Sequence, residues 1–270
     1  MFDNICKFLA ENFSTDFASW LLGESIPLTE LSPKELSLEP IRADALILLQ
    51  SEEKILHLEF QTEPDTNIPF RMLDYRVRGY RRFPQKEMHQ VVIYLNRTNS
   101  ELVYQNTFSL TFTRHEFKVI RLWEQPTEVF LRNPGLLPFA ALSNTSNPEN
   151  VLNQVAREIN QIPDNRTQSN VTASTAILAS LVLEKDFIRR VLRSDIMRES
   201  PIYQEILQEG REEGREEGRE EGREEGREEA LQQVAVNLIN SSMALEEVAR
   251  ATGLSMEQLR VLIREKDNKI

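Results

Sequence analysis

Two neighbouring runs that alternate apolar and polar residues, 43–50 and 55–61, constrain this chain more than any other feature. A period of two sends successive side chains to opposite faces of a strand, so each run reads as a strand with one face committed to a core. The polar stretch Ser51-Glu52-Glu53-Lys54 between them is a hairpin signal. A helix should follow, with Pro69 at its first position and Phe70, Leu73, Val77 and Tyr80 along the face that packs on the sheet. Upstream, Ile5, Leu9, Phe13, Phe17 and Leu21 recur at helical spacing, and Gly23 is placed to end that helix. Downstream, strands are expected over 90–95, 107–113 and 117–123, the last two as a hairpin, and mostly helix over 149–198. This order predicts an α/β fold with a mixed central sheet flanked by helices.

Beyond residue 200 the character of the chain changes. Five exact copies of Gly-Arg-Glu-Glu fill residues 210–229. Glu three residues before Arg is a favourable helical pair, but each Gly costs on the order of 1 kcal/mol against Ala in a helix interior. With no apolar stripe to bury, the repeat reads as a charged helical linker. The last forty residues form two short helices around Thr252-Gly253-Leu254, and Ser255 with Gln258 makes a capping box that opens the second. That pattern is similar to a helix-turn-helix, although the same packing also serves helical hairpins that only associate. The expected organisation is a core domain over 1–199, the linker over 200–230 and a C-terminal helical pair over 231–270.

At 270 residues and 40% hydrophobic content the chain can bury a sizeable core. No apolar run reaches the length of a membrane span, the N-terminus has no export-signal pattern, and the expected location is the cytoplasm. The single cysteine, Cys6, lies among apolar residues and reads as a buried structural thiol. The net charge of −11 by itself argues against a nucleic-acid partner, but the repeat alone supplies −5 of it, ten Glu against five Arg. Local sign matters more: Arg71, Arg76, Arg78, Arg81 and Arg82 fall within residues 69–82 against a single acid, Asp74. Interleaved with Tyr75 and Tyr80, they make a surface able to track a phosphate backbone.

Converging carboxylates are what phosphodiester hydrolysis asks for, because a hard divalent ion takes oxygen donors. In the second run His57, Glu59 and Gln61 share one face while Leu56, Leu58 and Phe60 share the other. In the first, Asp44 shares a face with Leu46 and Leu48, and an acid among apolar positions asks for a partner. A two-residue turn at Ser51-Glu52 sets Asp44 opposite Glu59 with Cβ atoms ~5 Å apart. A four-residue turn sets Asp44 opposite Gln61, and a three-residue turn sends it to the wrong face. A lone strand His such as His57 is more often a hydrogen-bonded strand residue than a base.

Taken together, Arg42-Ala43-Asp44, Leu58-Glu59-Phe60-Gln61-Thr62-Glu63-Pro64-Asp65 and Pro69-Phe70-Arg71-Met72-Leu73-Asp74-Tyr75 resemble the Rpn family of recombination-promoting nucleases and putative transposases, within the PD-(D/E)XK nuclease superfamily. The resemblance is clear over the first half and looser over the repeat and C-terminal helices. It implies a restriction-endonuclease-like core and a metal-dependent DNA endonuclease acting in recombination or mobile-element transfer. Asp44 and Glu59 would bind Mg²⁺ or Mn²⁺, with Gln61 as the third catalytic residue and the five arginines on DNA. Gln61 departs from the superfamily motif, which has Lys there, and an amide supplies no positive charge. The superfamily often adds a first-helix acid, here Asp3, Glu11 or Asp16. Cutting both strands would suit a homodimer. The alternative expectation is a catalytically weak or inactive nuclease fold serving DNA binding or protein association.

Overall fold

The computed structural model describes residues 2–31, 47–192, 196–197 and 199–267. They fall into two compact units, Met1–Ile206 and Leu207–Ile270. Asp44, with Arg42 and Leu46, lies outside the described residues.

The first unit opens with α1 (Phe2–Asn12) and α2 (Ser14–Leu22). The periodicity that suggested one helix over 1–22 is broken at Phe13, whose backbone leaves the helical region (φ −122°, ψ 39°), while Gly23 ends α2 in the left-handed conformation (φ 77°). The strands are β1 (Thr29–Glu30), β2 (Ile47–Gln50), β3 (Lys54–Gln61), β4 (Glu87–Tyr94), β5 (Thr107–Leu110), β6 (Thr113–Glu116) and β7 (Lys118–Arg121). Five of them form one mixed sheet in the order β1-β2-β3-β4-β7. β1, β2 and β3 pair antiparallel, and β3, β4 and β7 pair parallel. Parallel neighbours need a crossover, and α3 (Ile68–Arg82) supplies the one between β3 and β4. The strand expected over 117–123 therefore joins the main sheet. The hairpin closes instead within 107–116, where β5 and β6 make a separate two-stranded sheet.

Ile47 sits opposite Leu58 and Gln50 opposite Ile55, the register of a four-residue turn. It keeps the even-numbered residues of β2 on the face of the odd-numbered residues of β3, with Leu48 opposite His57. Leu56, Leu58 and Phe60 of β3, Val91 and Ile93 of β4 and Ile120 of β7 all face the larger core. That core is closed by α1, α2, α5 (Pro148–Ile159), α6 (Asn165–Ala179) and a buried 3-10 segment, Pro134–Leu142. The 3-10 form follows from composition: Pro138 cannot donate to an α-ladder, so the apolar run winds tighter and lays Phe139 flat on Phe60, centroids 5.8 Å apart. The short helix α4 (Thr127–Phe130) precedes the 3-10 segment and α7 (Lys185–Val191) follows α6.

α3 covers the other face of the sheet, but not with the side expected. Ile68, Met72, Tyr75 and Gly79 are buried, whereas Phe70, Val77 and Tyr80 are 59%, 47% and 63% exposed. The reason is contact geometry. Gly79 lets the helix approach Met88 of β4 so closely that a Cβ there would meet the sulfur at 2.7 Å. From the buried side, Arg71 and Arg76 reach polar partners on and beside the sheet. Phe70 is left to pack on Phe108 of the β5–β6 hairpin, centroids 5.6 Å apart.

In the second unit the repeat lies inside one helix, α8 (Pro201–Asn240), followed by α9 (Leu245–Thr252) and α10 (Met256–Asp267). Ala235, Val248, Leu254 and Leu259 form its core. The capping box is made as expected: Gln258 N donates to Ser255 Oγ (3.2 Å) and Ser255 N donates to Gln258 Oε1 (2.8 Å). No described helix is long and apolar enough to cross a membrane.

Candidate active site between β3 and α3

The face of β3 beneath α3 carries three polar side chains in a row, and the tertiary structure buries two of them. His57 is fully buried and Glu59 is 2% exposed. Burying a carboxylate is costly unless partners meet its charge, and Glu59 has them. Arg71, one turn into α3, places its guanidinium directly on Glu59 Oε1. The Gln61 amide donates to the same oxygen at 3.2 Å. Arg71 also meets Asp65 in the loop that opens α3, Nη1 to Oδ2 at 3.3 Å, and is therefore shared between a buried and a half-exposed acid. Asp65 in turn accepts from Asn67 N (2.8 Å), which fixes the chain just before α3.

His57 is held from the opposite side. Gln90 of β4, opposite it in the parallel register, donates through Nε2 to the Met72 carbonyl at 2.7 Å and to His57 Nδ1 at 3.0 Å. A carbonyl only accepts, so the amide nitrogen must face Met72; Nδ1 of a neutral imidazole then accepts and the proton is assigned to Nε2. That nitrogen lies 3.7 Å from Glu59 Oε2 and has no hydrogen-bond partner among the described residues. Tyr75 stacks edge-on against His57, centroids 5.0 Å apart. Its phenol pKa is raised, first by burial and then by the negative charge of Glu59. Tyr94 at the end of β4 is raised the same way, by burial and then by Asp65. Both phenols are neutral donors at physiological pH.

Of the three acids expected from the first helix, Asp16 falls on α2, and Asp3 on α1 is the one near this cluster. Its carboxyl pKa is raised by loss of solvation first, with Glu59 adding to the rise and Arg71 opposing it. Asp16 is used structurally: its Oδ2 accepts from Gly135 N at 2.9 Å. Glu11 lies 3.9 Å from Lys7 on the same helix.

The site residues expected from sequence are thus distributed unevenly. Glu59, Gln61 and Arg71 come together, and Asp44 lies outside the described residues. Among the other arginines, Arg76 donates to the Met88 carbonyl (2.9 Å) and Arg78 pairs with Asp74 (2.9 Å). Arg81 and Arg82 are exposed in the last turn of α3, with Arg82 over the Phe83 ring. Sequence reasoning gave Arg71 to DNA and missed it as the partner of Glu59. The twelve-residue separation carries no local signal, because it spans a strand end, a loop and a helix turn. Gln90 was missed for the same reason.

Glu59 and Gln61 offer oxygen donors of the kind Mg²⁺ takes. Among the described residues no cluster of three or more His, Cys, Asp or Glu is arranged to hold a metal ion. In comparison with known proteins, no family model, no curated sequence and no solved structure matches the chain.

Proposed function

We propose that this protein is a metal-dependent DNA endonuclease that hydrolyses phosphodiester bonds, with Glu59 at the centre of its site. The observation that carries the reading is an acid 2% exposed on a central strand, joined there by the amide of Gln61 and the guanidinium of Arg71. Burying such a carboxylate is tolerable only when partners compensate it, and an acid, an amide and a guanidinium converging on one buried spot are the kind of grouping an active site needs. Arg71 also supplies the cation that Gln61 cannot, at the same carboxylate. The mixed sheet, in which an antiparallel pair feeds a helix and a parallel strand, agrees with a restriction-endonuclease-like core. The Rpn resemblance adds Asp44, recombination or mobile-element transfer, and the α3 arginines as DNA contacts.

Glu59 and Asp44 would hold Mg²⁺ or Mn²⁺, which neutralises the phosphate and lowers the pKa of a bound water. Arg71 would hold Glu59 in place and meet phosphate charge, Gln61 would orient the carboxylate, and Tyr75 and Tyr94 would close the site with neutral hydroxyls. The C-terminal helices around Gly253 would add a helix-turn-helix-like contact to DNA.

A second reading is favoured by one feature. Arg71 and the Gln61 amide both engage Oε1 of Glu59 and so compete with a metal for that carboxylate, as expected of a catalytically weak nuclease fold that binds DNA or associates with protein. Nicking of supercoiled plasmid with Mg²⁺, Mn²⁺ or EDTA decides between them. Metal-dependent nicking lost in Asp44→Ala and Glu59→Ala proteins of unchanged circular dichroism is the expected result. Nicking retained in Glu59→Ala would sink the site, and DNA binding without nicking under any metal would leave the second reading.

A further inference from the structure

His57 belongs to the Glu59 cluster but has no part in the hydrolysis as proposed. It is fully buried on β3, two residues from Glu59 and on the same face of the strand. A buried imidazole beside a carboxylate can act as a metal ligand, a base or a hydrogen-bond donor, and the position of its proton decides which. The Met72 carbonyl fixes that position through Gln90. Because a carbonyl only accepts, the Gln90 nitrogen 2.7 Å from it is a donor, and the same nitrogen meets His57 Nδ1 at 3.0 Å. Nδ1 therefore accepts and Nε2 carries the proton. A protonated Nε2 has no lone pair for a metal ion or for the proton of a water, so ligand and base fall away and the donor remains.

The group nearest this N–H is Glu59 Oε2, 3.7 Å away, and among the described residues nothing else takes it. Arg71 and Gln61 both engage the other oxygen, Oε1. The last torsion of a glutamate is broad, so a carboxylate held at one oxygen can still rock about its terminal bond. The ring has less freedom, held by Gln90 at Nδ1 and by Tyr75 edge-on, centroids 5.0 Å apart. The gap exceeds hydrogen-bond range by roughly 0.5 Å, which rocking of the carboxylate closes, and a buried N–H left unmade costs free energy that the closure recovers. Each carboxylate oxygen has two lone pairs, so an N–H on Oε2 still leaves one for a metal ion.

We propose that His57 is a positioning residue: its Nε2–H, set by Gln90 and the Met72 carbonyl, takes Oε2 of Glu59 and fixes the plane of the carboxylate from the side opposite Arg71. Outer partners of this kind orient a carboxylate for the ion it binds and hold its lone pairs in place. The part played in hydrolysis rests on the endonuclease reading, whereas the hydrogen-bond arrangement does not.

The test has a spectroscopic arm and a kinetic one. The chain has three histidines, so the imidazole nitrogens of the ¹⁵N-labelled full chain can be assigned with His57→Gln, and their signals distinguish a proton on Nε2, on Nδ1 or on both. The expected ring carries its proton on Nε2, and that signal moves in Glu59→Gln. In the kinetic arm, Gln keeps an N–H at the place of Nε2 and Leu does not. The rate of plasmid nicking at saturating DNA should fall about ten- to a hundredfold in His57→Leu, with DNA affinity unchanged, and be restored for the most part in His57→Gln. A His57→Leu protein that fails to fold leaves the decision to the spectra. A proton on Nδ1 or on both nitrogens, an Nε2 signal unmoved in Glu59→Gln, wild-type nicking by His57→Leu, or no recovery with Gln overturns the proposal. Absence of nicking by the wild-type protein under any metal removes the endonuclease reading instead, and the spectra alone then decide whether His57 holds Glu59.

Discussion

At the scale of single residues, Glu59 is tolerable at 2% exposure because Arg71 and Gln61 meet it, so the three should behave as a unit. Arg71→Ala strands a buried charge and should cost about 1–3 kcal/mol of stability by urea unfolding. In the Glu59→Gln background the same substitution should cost less, with a coupling energy of at least about 0.5 kcal/mol across the double-mutant cycle. Additive effects would mean that the pair contributes nothing beyond its separate contacts. Cys6 makes a simpler case. It is completely buried and burial pushes its thiol pKa well up, so it should resist alkylation at mildly alkaline pH in the native protein and react only on unfolding. The composition pointed to a buried thiol; it did not indicate that Glu59 would be enclosed as deeply as the leucines beside it.

At the scale of elements, the joints between helices and sheet are set by close approach. Gly135, second in the buried 3-10 segment, has so little room that a Cβ would lie 2.8 Å from Asp16 Oδ2 and closer still to Phe13 Cβ and Cγ. Gly135→Ala should therefore lower stability by about 1–3 kcal/mol, read as a reduced unfolding midpoint with the fold retained. The start of α6 gives a pH-dependent prediction. Asp164 caps it, accepting from Thr167 N at 2.7 Å, and the Thr167 hydroxyl and backbone N–H hold its pKa below the usual carboxylate value. A depressed folded pKa stabilises above the unfolded pKa and is lost as pH falls through the folded one. Asp164→Asn keeps an acceptor without the charge. The advantage of wild type over this variant in thermal midpoint should be full near neutrality and shrink below about pH 4; a difference independent of pH would be contrary to it. α3 shows where pattern reading stopped. Its start was legible from Pro69, one residue after the observed start at Ile68, but the stripe chosen as buried, with Phe70 and Tyr80, is outside. Two candidate stripes existed, and Gly79 against Met88 decided between them.

At the scale of the whole molecule, the units Met1–Ile206 and Leu207–Ile270 each carry their own apolar cluster. A core of four buried residues, Ala235, Val248, Leu254 and Leu259, stabilises far less than one that spans a five-stranded sheet and its helices. Thermal unfolding followed by amide exchange should show Val248 and Leu259 losing protection before Leu58 and Ile93; one common transition for all four would contradict that independence. The periods of two and 3.6 residues determined that β2 and β3 are strands and that α3 is a helix, and the Ser255–Gln258 spacing that α10 opens with a capping box, because those signals need only neighbours in the chain. Charge counting likewise separated the repeat from the rest. Which helix stripe is buried, that β7 joins β4 instead of the hairpin, and that Arg71 and Gln90 converge on Glu59 and His57 were decided only by tertiary structure. Those choices turn on steric approach and on compensating buried polar groups across the sheet, and neither quantity exists until distant segments are in contact.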